Sequence, residues 1–161
     1  MATEKHDLMI KTEDGILNIR VGAIIMKDGR FLMVKSDGFD YYYSVGGRLK
    51  FGETTEEAVI REVCEETGVS MDIDRLGFIQ ENFFYSDNPT HPGILIHEFS
   101  FFYYMKVPMD FNPISNSPTH DGAHDYLVWV EPDVKVKIFP EFFRTELSSQ
   151  AREVKHYVNR T

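Results

Sequence analysis

Three glutamates are spaced so that they could share one ligand. Glu62, Glu65 and Glu66 stand at positions i, i+3 and i+4, which places their carboxylates on one face if the segment is helical. Two carboxylates 4 Å apart repel by about 1 kcal/mol in water and by about 4 kcal/mol near a protein surface. A hard divalent cation would make this crowding tolerable, and Mg²⁺ uses a few carboxylates together with substrate phosphates. The spacing therefore predicts a site for Mg²⁺, with Mn²⁺ as a substitute, although an isolated Glu-x-x-Glu-Glu is commonly a solvated helix face.

The residues around these glutamates predict a tight turn followed by a helix. Gly46 and Gly47 end an aromatic run and permit the turn, because glycine tolerates positive φ. Thr54 is a suitable N-cap with Glu57 three residues later, and Gly68 is a suitable C-terminal stop. The acidic face of this helix would lie beside the glycine turn. Its inward stripe would consist of Ala58, Val59 and Val63.

The whole segment from Gly47 to Val69 has the pattern Gly-x5-Glu-x7-Arg-Glu-Val-x-Glu-Glu-x-Gly-Val. With each residue type at about 7 % usage, a chance match to its seven polar or glycine positions at a given start is on the order of 10^-8. The segment resembles the signature of the Nudix hydrolases at every defining position. Relatives commonly have proline before the double glycine, whereas this chain has Val45, a departure that concerns the rigidity of the turn.

The resemblance implies a fold and a set of roles. The three glutamates correspond to the family's metal ligands, and Gly46 occupies the place whose carbonyl often reaches a cation. Arg61 and Glu53 correspond to the ion pair that orients the catalytic helix. The implied fold is an α/β/α sandwich, in which a mixed β-sheet lies between this helix and a C-terminal helix.

The implied reaction is Mg²⁺-dependent hydrolysis of a nucleoside diphosphate linked to another moiety, as in ADP-ribose, a dinucleoside polyphosphate or a (d)NTP. The cation would neutralise phosphate charge and lower the pKa of a bound water, whose proton a carboxylate accepts. One alternative is a non-catalytic nucleotide-sensing domain, although such domains often lose the acids that this chain keeps. A diphosphate isomerase would need a catalytic cysteine, whereas Cys64 falls on the predicted helix.

The identity of the general base stays open at this stage. Within the predicted helix, Glu62 and Glu65 are candidates. Outside it, Asp125 lies near the place where relatives often carry such an acid, and Asp121 is a second option in the same predicted loop. Glu98, a lone acid amid strand residues, is either functional or on a solvated face.

Five residues near the glutamates are candidates for binding the substrate. Arg48 follows the glycine turn and would meet an anion, with Lys50 as a second cation, although both are equally well explained as ordinary loop charges. Tyr43, Phe84 and Tyr85 lie near predicted strand ends, where one of them would stack on a nucleobase unless it packs in the core.

Composition limits the class of protein. At 161 residues, with 42 % apolar and 27 % charged residues, the chain has the values of one globular domain. A net charge of −9 without a basic stripe argues against a nucleic-acid partner, and no apolar run approaches the roughly 18 residues of a membrane span. No secretory signal is visible, and the single Cys64, interpreted as a small packing residue, fits a reducing cytoplasm.

The order of patterns along the chain predicts a mixed α/β domain over residues 1–161. Residues 1–14 are an N-terminal extension or an edge strand, and residues 108–125 are a long loop. Pro140 suits the first turn of the C-terminal helix. The aromatic run over residues 99–104 is expected to supply core and a homodimer surface. Strands are expected at residues 18–26, 30–35, 41–45, 76–85, 94–107 and 126–130, with a hairpin turn at residues 27–29.

Overall fold

The computed structural model describes residues 4–114, 116–119, 122–147 and 152–161. The helices in these ranges are α1 (Thr55–Thr67) and α2 (Phe143–Glu146). The strands are β1 (Met9–Lys11), β2 (Ile16–Ile24), β3 (Met26–Lys27), β4 (Arg30–Ser36), β5 (Tyr41–Arg48), β6 (Asp72–Tyr85), β7 (Leu95–Lys106), β8 (Ser117–Thr119), β9 (Gly122–Val130), β10 (Lys137–Phe139) and β11 (Lys155–Arg160).

The strands form one mixed sheet with the main order β11-β6-β7-β2-β5-β4-β9-β8. The strand β2 lies inside this order, parallel to β7 and antiparallel to β5. The N-terminal segment contributes a strand, because β1 pairs antiparallel with the start of β2. The predicted loop over residues 108–125 is shorter than expected, because β8 and the first residues of β9 pair within it.

Turn residues explain how the strands before α1 are joined. Asp28 and Gly29 connect β3 to β4 with φ values of 54° and 76°, the positive values that a two-residue type I′ hairpin requires. Gly46 has a φ of 154°, and a Cβ atom there would overlap the carbonyl oxygen of Val21 on β2. The chain therefore needs glycine where β5 passes closest to β2.

Apolar clusters on opposite faces of the sheet hold the two helices. The cluster against α1 contains its three predicted inward residues, Ala58, Val59 and Val63, all of them fully buried. The other cluster surrounds Phe143 of α2, whose ring centroid lies 5.8 Å from that of Phe31. The predicted sandwich is confirmed, although α2 has only 4 residues and an unexpected strand, β11, follows it. Neither helix in the described ranges is long and apolar enough to cross a membrane.

The aromatic run on β7 belongs mainly to the interior. Phe102 and Tyr103 are exposed by only 4 % and 5 %, and the hydroxyl groups of Tyr103 and Thr55 lie 2.5 Å apart at the start of α1. These two rings therefore stabilise the domain itself, so the expected homodimer surface does not include them.

Candidate active site

The helix α1 is fixed at both ends by the caps that the sequence predicts. The hydroxyl oxygen of Thr54 accepts a hydrogen bond from the N–H of Glu57 at 3.0 Å. Gly68 adopts a φ of 74°, and its N–H donates to the carbonyl of Cys64 at 2.9 Å. The side chain of Cys64 is exposed, so its interpretation as a packing residue is wrong.

Arg61 is the centre of the hydrogen-bond network that joins α1 to the preceding chain. Its Nε and Nη2 atoms donate to the two carboxylate oxygens of Glu53 at 2.7 and 2.9 Å. Its Nη1 atom donates to Glu62 at 2.8 Å and to Glu65 at 3.4 Å. Nη2 also donates to the carbonyl of Arg48 at 3.2 Å. One guanidinium thereby holds three carboxylates and the end of β5.

Two of these carboxylates have pKa values that shift in opposite directions. The hydrogen bond from Arg61 lowers the pKa of Glu53 and outweighs the effect of burial, and the backbone N–H of Lys50 also donates to Glu53 at 3.0 Å. Burial raises the pKa of Glu62 and outweighs its hydrogen bond with Arg61. The Glu62 side chain is 12 % exposed and lies against Gly47, where an added Cβ atom would overlap its carboxylate.

The crowding of carboxylates does not by itself require a metal ion. Arg61 already neutralises part of the negative charge of these carboxylates. Within the described ranges, no three acidic, histidine or cysteine side chains are already arranged to hold an ion. The half-buried carboxylate of Glu62 nevertheless fits an ion, because positive charge beside it would offset the desolvation that raises its pKa. The carboxylates on α1 and the backbone carbonyl of Gly46 are of the oxygen type that hard cations prefer.

A second part of the candidate site brings together Tyr43, Glu66 and Asp125. Burial raises the pKa of Tyr43, and the negative charges of Asp125 and Glu66 raise it further. Charges on α1 and β9 therefore act on a side chain of β5 although these residues are distant in sequence. Asp125 lies within β9, opposite Ser36 of β4, rather than in the predicted loop. Asp121 lies outside the described residues.

Sequence reasoning missed Arg20, which lies directly opposite Arg48 in the pairing of β2 with β5. Burial raises the pKa of both Tyr43 and Glu62, and the positive charge of Arg20 acts against that rise. The Nε atom of Arg48 is buried without a hydrogen-bond partner in the described part of the chain, and its Nη1 atom is 4.0 Å from Asp7. The sequence feature that could have identified Arg20 is its positive charge within an otherwise mainly apolar predicted strand.

Three further predicted residues lie on the hairpin of β6 and β7, away from the hydrogen bonds of Arg61. Glu98 of β7 is paired with Asn18 of β2 on one side and with Asn82 of β6 on the other. Phe84 is half-buried, and Tyr85 is 65 % exposed at the end of β6. The structure thus places Glu98 within the sheet, and it does not group these residues with the acids of α1.

A cavity of about 410 Å³ lies beside β9, with Tyr42, Trp129 and Glu131 in its lining. None of the acids on α1 lines this cavity. The geometry of the charged network, rather than this cavity, therefore defines the candidate active site.

Comparison with known proteins shows which domain family the sequence matches. Residues 17–145 match the family model of the NUDIX domain. A segment of 61 residues is 36 % identical to a MutT-like protein of Streptomyces ambofaciens and covers 38 % of this chain and 40 % of that protein. A segment of 54 residues is 43 % identical to an ADP-ribose pyrophosphatase of Methanocaldococcus jannaschii and covers 32 % of each chain. The matched segments therefore span less than half the length of both relatives.

Solved structures share the fold at low sequence identity. A MutT protein from Bacillus halodurans superposes with a TM-score of 0.59 at 17 % identity, over 88 % of this chain and 90 % of that chain. An ADP-ribose pyrophosphatase from Streptococcus suis gives a TM-score of 0.55 at 16 % identity, over 88 % of this chain and 98 % of that chain.

Proposed function

Since the chain belongs to the NUDIX domain family, we propose that it is a Mg²⁺-dependent pyrophosphohydrolase that cleaves a nucleoside diphosphate linked to another moiety. The observation that carries the proposal is the largely shielded Glu62 carboxylate, held between Arg61 and the glycine turn at the acidic face of α1. ADP-ribose, dinucleoside polyphosphates and (d)NTPs are the substrate classes to be compared.

The acids of α1 are the proposed cation ligands. Glu62, Glu65 and Glu66, together with the Gly46 carbonyl, offer the oxygen atoms that suit Mg²⁺, or Mn²⁺ as a substitute. The bound cation would supply neutralisation of the diphosphate charge and a water of lowered pKa. Glu62 and Glu65 each contact Arg61 through one carboxylate oxygen, at 2.8 and 3.4 Å, which leaves the second oxygen of each for a shared ligand.

The remaining residues have supporting roles in this proposal. Arg61 and Glu53 keep α1 in register with the end of β5, because their two parallel hydrogen bonds fix both side chains. Arg20 and Arg48 bind diphosphate oxygens, since paired cations in register repel each other until an anion bridges them. Asp125, whose negative charge acts on Tyr43 as that of Glu66 does, accepts the proton of the attacking water.

The substrate and the cellular setting complete the proposal. The partner is a small nucleotide rather than a nucleic acid, because a net charge of −9 opposes binding to a phosphate backbone. We place the activity in the cytoplasm, since a reducing compartment suits a chain whose single cysteine is exposed and free.

The decisive experiment measures cleavage of a panel of ADP-ribose, diadenosine polyphosphates, nucleotide sugars and dNTPs, with Mg²⁺ or with EDTA. We expect Mg²⁺-stimulated hydrolysis of at least one of them, and a loss of about 100-fold or more in kcat for Glu66→Gln. Glu57→Gln, which changes an exposed glutamate in the first turn of the same helix, is the matched control and should keep wild-type activity. Absence of cleavage across the panel, or a fully active Glu66→Gln, would contradict the proposal, and binding without turnover would indicate a sensing domain.

A further inference from the structure

Three aromatic side chains form an exposed cluster at the start of β5, which we call the aromatic platform. It consists of Phe39, Tyr41 and Phe139. The ring centroid of Tyr41 lies 5.0 Å from that of Phe39, with 31° between the ring planes, and 5.0 Å from that of Phe139, with 89° between the planes. Phe39 and Phe139 are 50 % and 42 % exposed, so flat apolar surface is open to a ligand. We propose that the aromatic platform stacks on the nucleobase of the nucleotide bound at the candidate active site, an inference that rests on the proposed function.

The aromatic platform faces the same side of the sheet as α1. Tyr43 of β5 packs against the apolar cluster beneath α1. Tyr41 lies two residues earlier on β5, and Phe139 of β10 is paired in register with Tyr43, so all three side chains point to the face of α1. Their neighbours Tyr42 and Ile138, which are also paired in register, belong to the cluster on the face of α2. A ligand held by the acids of α1 can therefore reach the platform without crossing the sheet.

The direction of α1 connects its acids to the aromatic platform. Glu62 lies against Gly47, and Glu66 follows one helical turn later, about 6 Å along the helix. The negative charge of Glu66 acts on Tyr43, four residues before Gly47 on β5. The acids of α1 thus extend along β5 toward the platform, whose Phe139 is one strand spacing, about 5 Å, from Tyr43. A diphosphate bound by a cation at these acids would leave its ribose and base free to extend to the platform.

The surroundings of the aromatic platform favour an uncharged flat group over a second phosphate. Burial raises the pKa of the Tyr41 hydroxyl, and the negative charges of Asp87 and Asp40 raise it further. These acids would repel phosphate, whereas a base is neutral and offers N–H groups from which carboxylates accept hydrogen bonds. The ammonium of Lys137 lies 5.3 Å from the centroid of the Phe139 ring. Because Lys137 is exposed, this contact is weaker than the stacking of a base, which can take its place.

The test measures binding rather than turnover, by calorimetric titration in the presence of Mg²⁺. The ligands are the α,β-methylene diphosphates of adenosine, guanosine, cytidine and uridine, which resist hydrolysis between the phosphates, and the corresponding ribose compound without a base. We expect at least one nucleotide to bind the wild-type protein about tenfold more tightly than the base-free compound, because only the nucleotide can stack on the platform.

Substitutions that remove a flat ring should abolish this difference. Phe139→Leu should raise the Kd of that nucleotide about tenfold and leave the Kd of the base-free compound unchanged, whereas Phe139→Tyr, which keeps a ring, should bind like the wild type. Phe39→Leu should act in the same direction as Phe139→Leu. Phe51→Leu is the matched control, since Phe51 is 51 % exposed but lies beyond the other end of β5, in the loop before α1. Thermal unfolding verifies that the variants fold.

The outcomes separate this inference from the proposed function. If all the nucleotides bind no more tightly than the base-free compound, or if Phe139→Leu binds like Phe51→Leu, the base site is overturned, while Mg²⁺-stimulated cleavage in the panel would still support the proposed function. Equal weakening of the nucleotide and the base-free compound by Phe139→Leu would also overturn it, because the ring would then act without stacking. Loss of base-dependent binding in Tyr85→Leu instead would place the base at the end of β6 and overturn the platform. Base-dependent binding that Phe139→Leu abolishes, without cleavage across the panel, would confirm the base site and contradict the proposed function.

Discussion

At the scale of single residues, Arg61 stabilises the crowded carboxylates at the acidic face of α1. Its guanidinium contacts Glu53, Glu62 and Glu65, and it lowers the pKa of Glu53 through the strongest of these contacts. A planar guanidinium can bond both oxygens of one carboxylate and still reach another, which a lysine ammonium cannot do with the same geometry. Arg61 therefore links the fold to the chemistry, because it holds two of the proposed cation ligands.

We expect Glu53→Gln to lower the free energy of unfolding by about 2 kcal/mol at pH 7, because it removes a charge-assisted pair that is largely shielded from solvent. The pKa of Glu53 is lowered in the folded protein from its ordinary value of 4.5, so its stabilisation is complete above pH 4.5 and is lost as the pH falls through the lowered value. The difference between wild type and variant should shrink accordingly in acid. Urea unfolding in EDTA at pH 7 and at pH 4 measures it, with Glu57→Gln as the exposed control, and a difference that grows in acid would contradict this account.

At the scale of elements, the two glycines at the end of β5 have different roles. Gly46 allows β5 to pack against β2, and Gly47 leaves room for a side chain of α1. A Cβ atom on Gly46 would meet the backbone of Val21, whereas a Cβ atom on Gly47 would meet the carboxylate of Glu62. Backbone atoms of a central strand cannot move aside, but a side chain can. The same Gly-Gly pair therefore supports the fold at one position and the site at the next.

We expect Gly46→Ala to destabilise the protein by about 2 to 4 kcal/mol, because φ is 154° there and the clash is with backbone. Gly47→Ala should unfold at nearly the wild-type temperature but bind Mg²⁺ about tenfold more weakly, because Glu62 is displaced. Thermal unfolding and calorimetric titration of Mg²⁺ distinguish the two effects. Gly38→Ala, at a site where an added Cβ meets only one atom at 4.0 Å, is the control. Equal losses of stability in both variants would count against the separation of roles.

At the scale of the whole molecule, a net charge of −9 surrounds a site that must accept an anion. Long-range repulsion is screened beyond about 10 Å at 0.1 M salt, while contacts of Arg20 and Arg48 with the substrate act at shorter range. Attraction at the site and repulsion from the whole protein therefore depend differently on ionic strength.

We expect kcat/KM for a polyanionic substrate to rise by a factor of about two to five between roughly 20 and 200 mM KCl at constant free Mg²⁺, because salt screens the net repulsion. Arg20→Gln should lower kcat/KM at every salt concentration, whereas Lys5→Gln, at an exposed position outside the site, should have little effect. A steady fall in kcat/KM with salt would show that the local arginines dominate the approach of the substrate.

Local features of this chain could be predicted from the sequence because their causes lie within a few residues. The caps of α1 at Thr54 and Gly68 and the hairpin at Asp28 depend on neighbouring backbone groups. The helical spacing likewise fixed which glutamates share a face. The inward stripe of α1 was readable for the same reason, since one helical period separates apolar from acidic positions.

Only the tertiary structure decided which distant residues meet. Cross-strand register places Arg20 opposite Arg48 and Glu98 between Asn18 and Asn82, and no short-range pattern encodes that register. The effect of Asp125 and Glu66 on Tyr43, like the use of Arg61 as counter-ion, depends in the same way on how sheet and helix pack. The sequence by itself therefore determined the family signature and its helix, whereas the pairing of Arg20 with Arg48 exists only because burial of apolar faces fixes one pairing of strands.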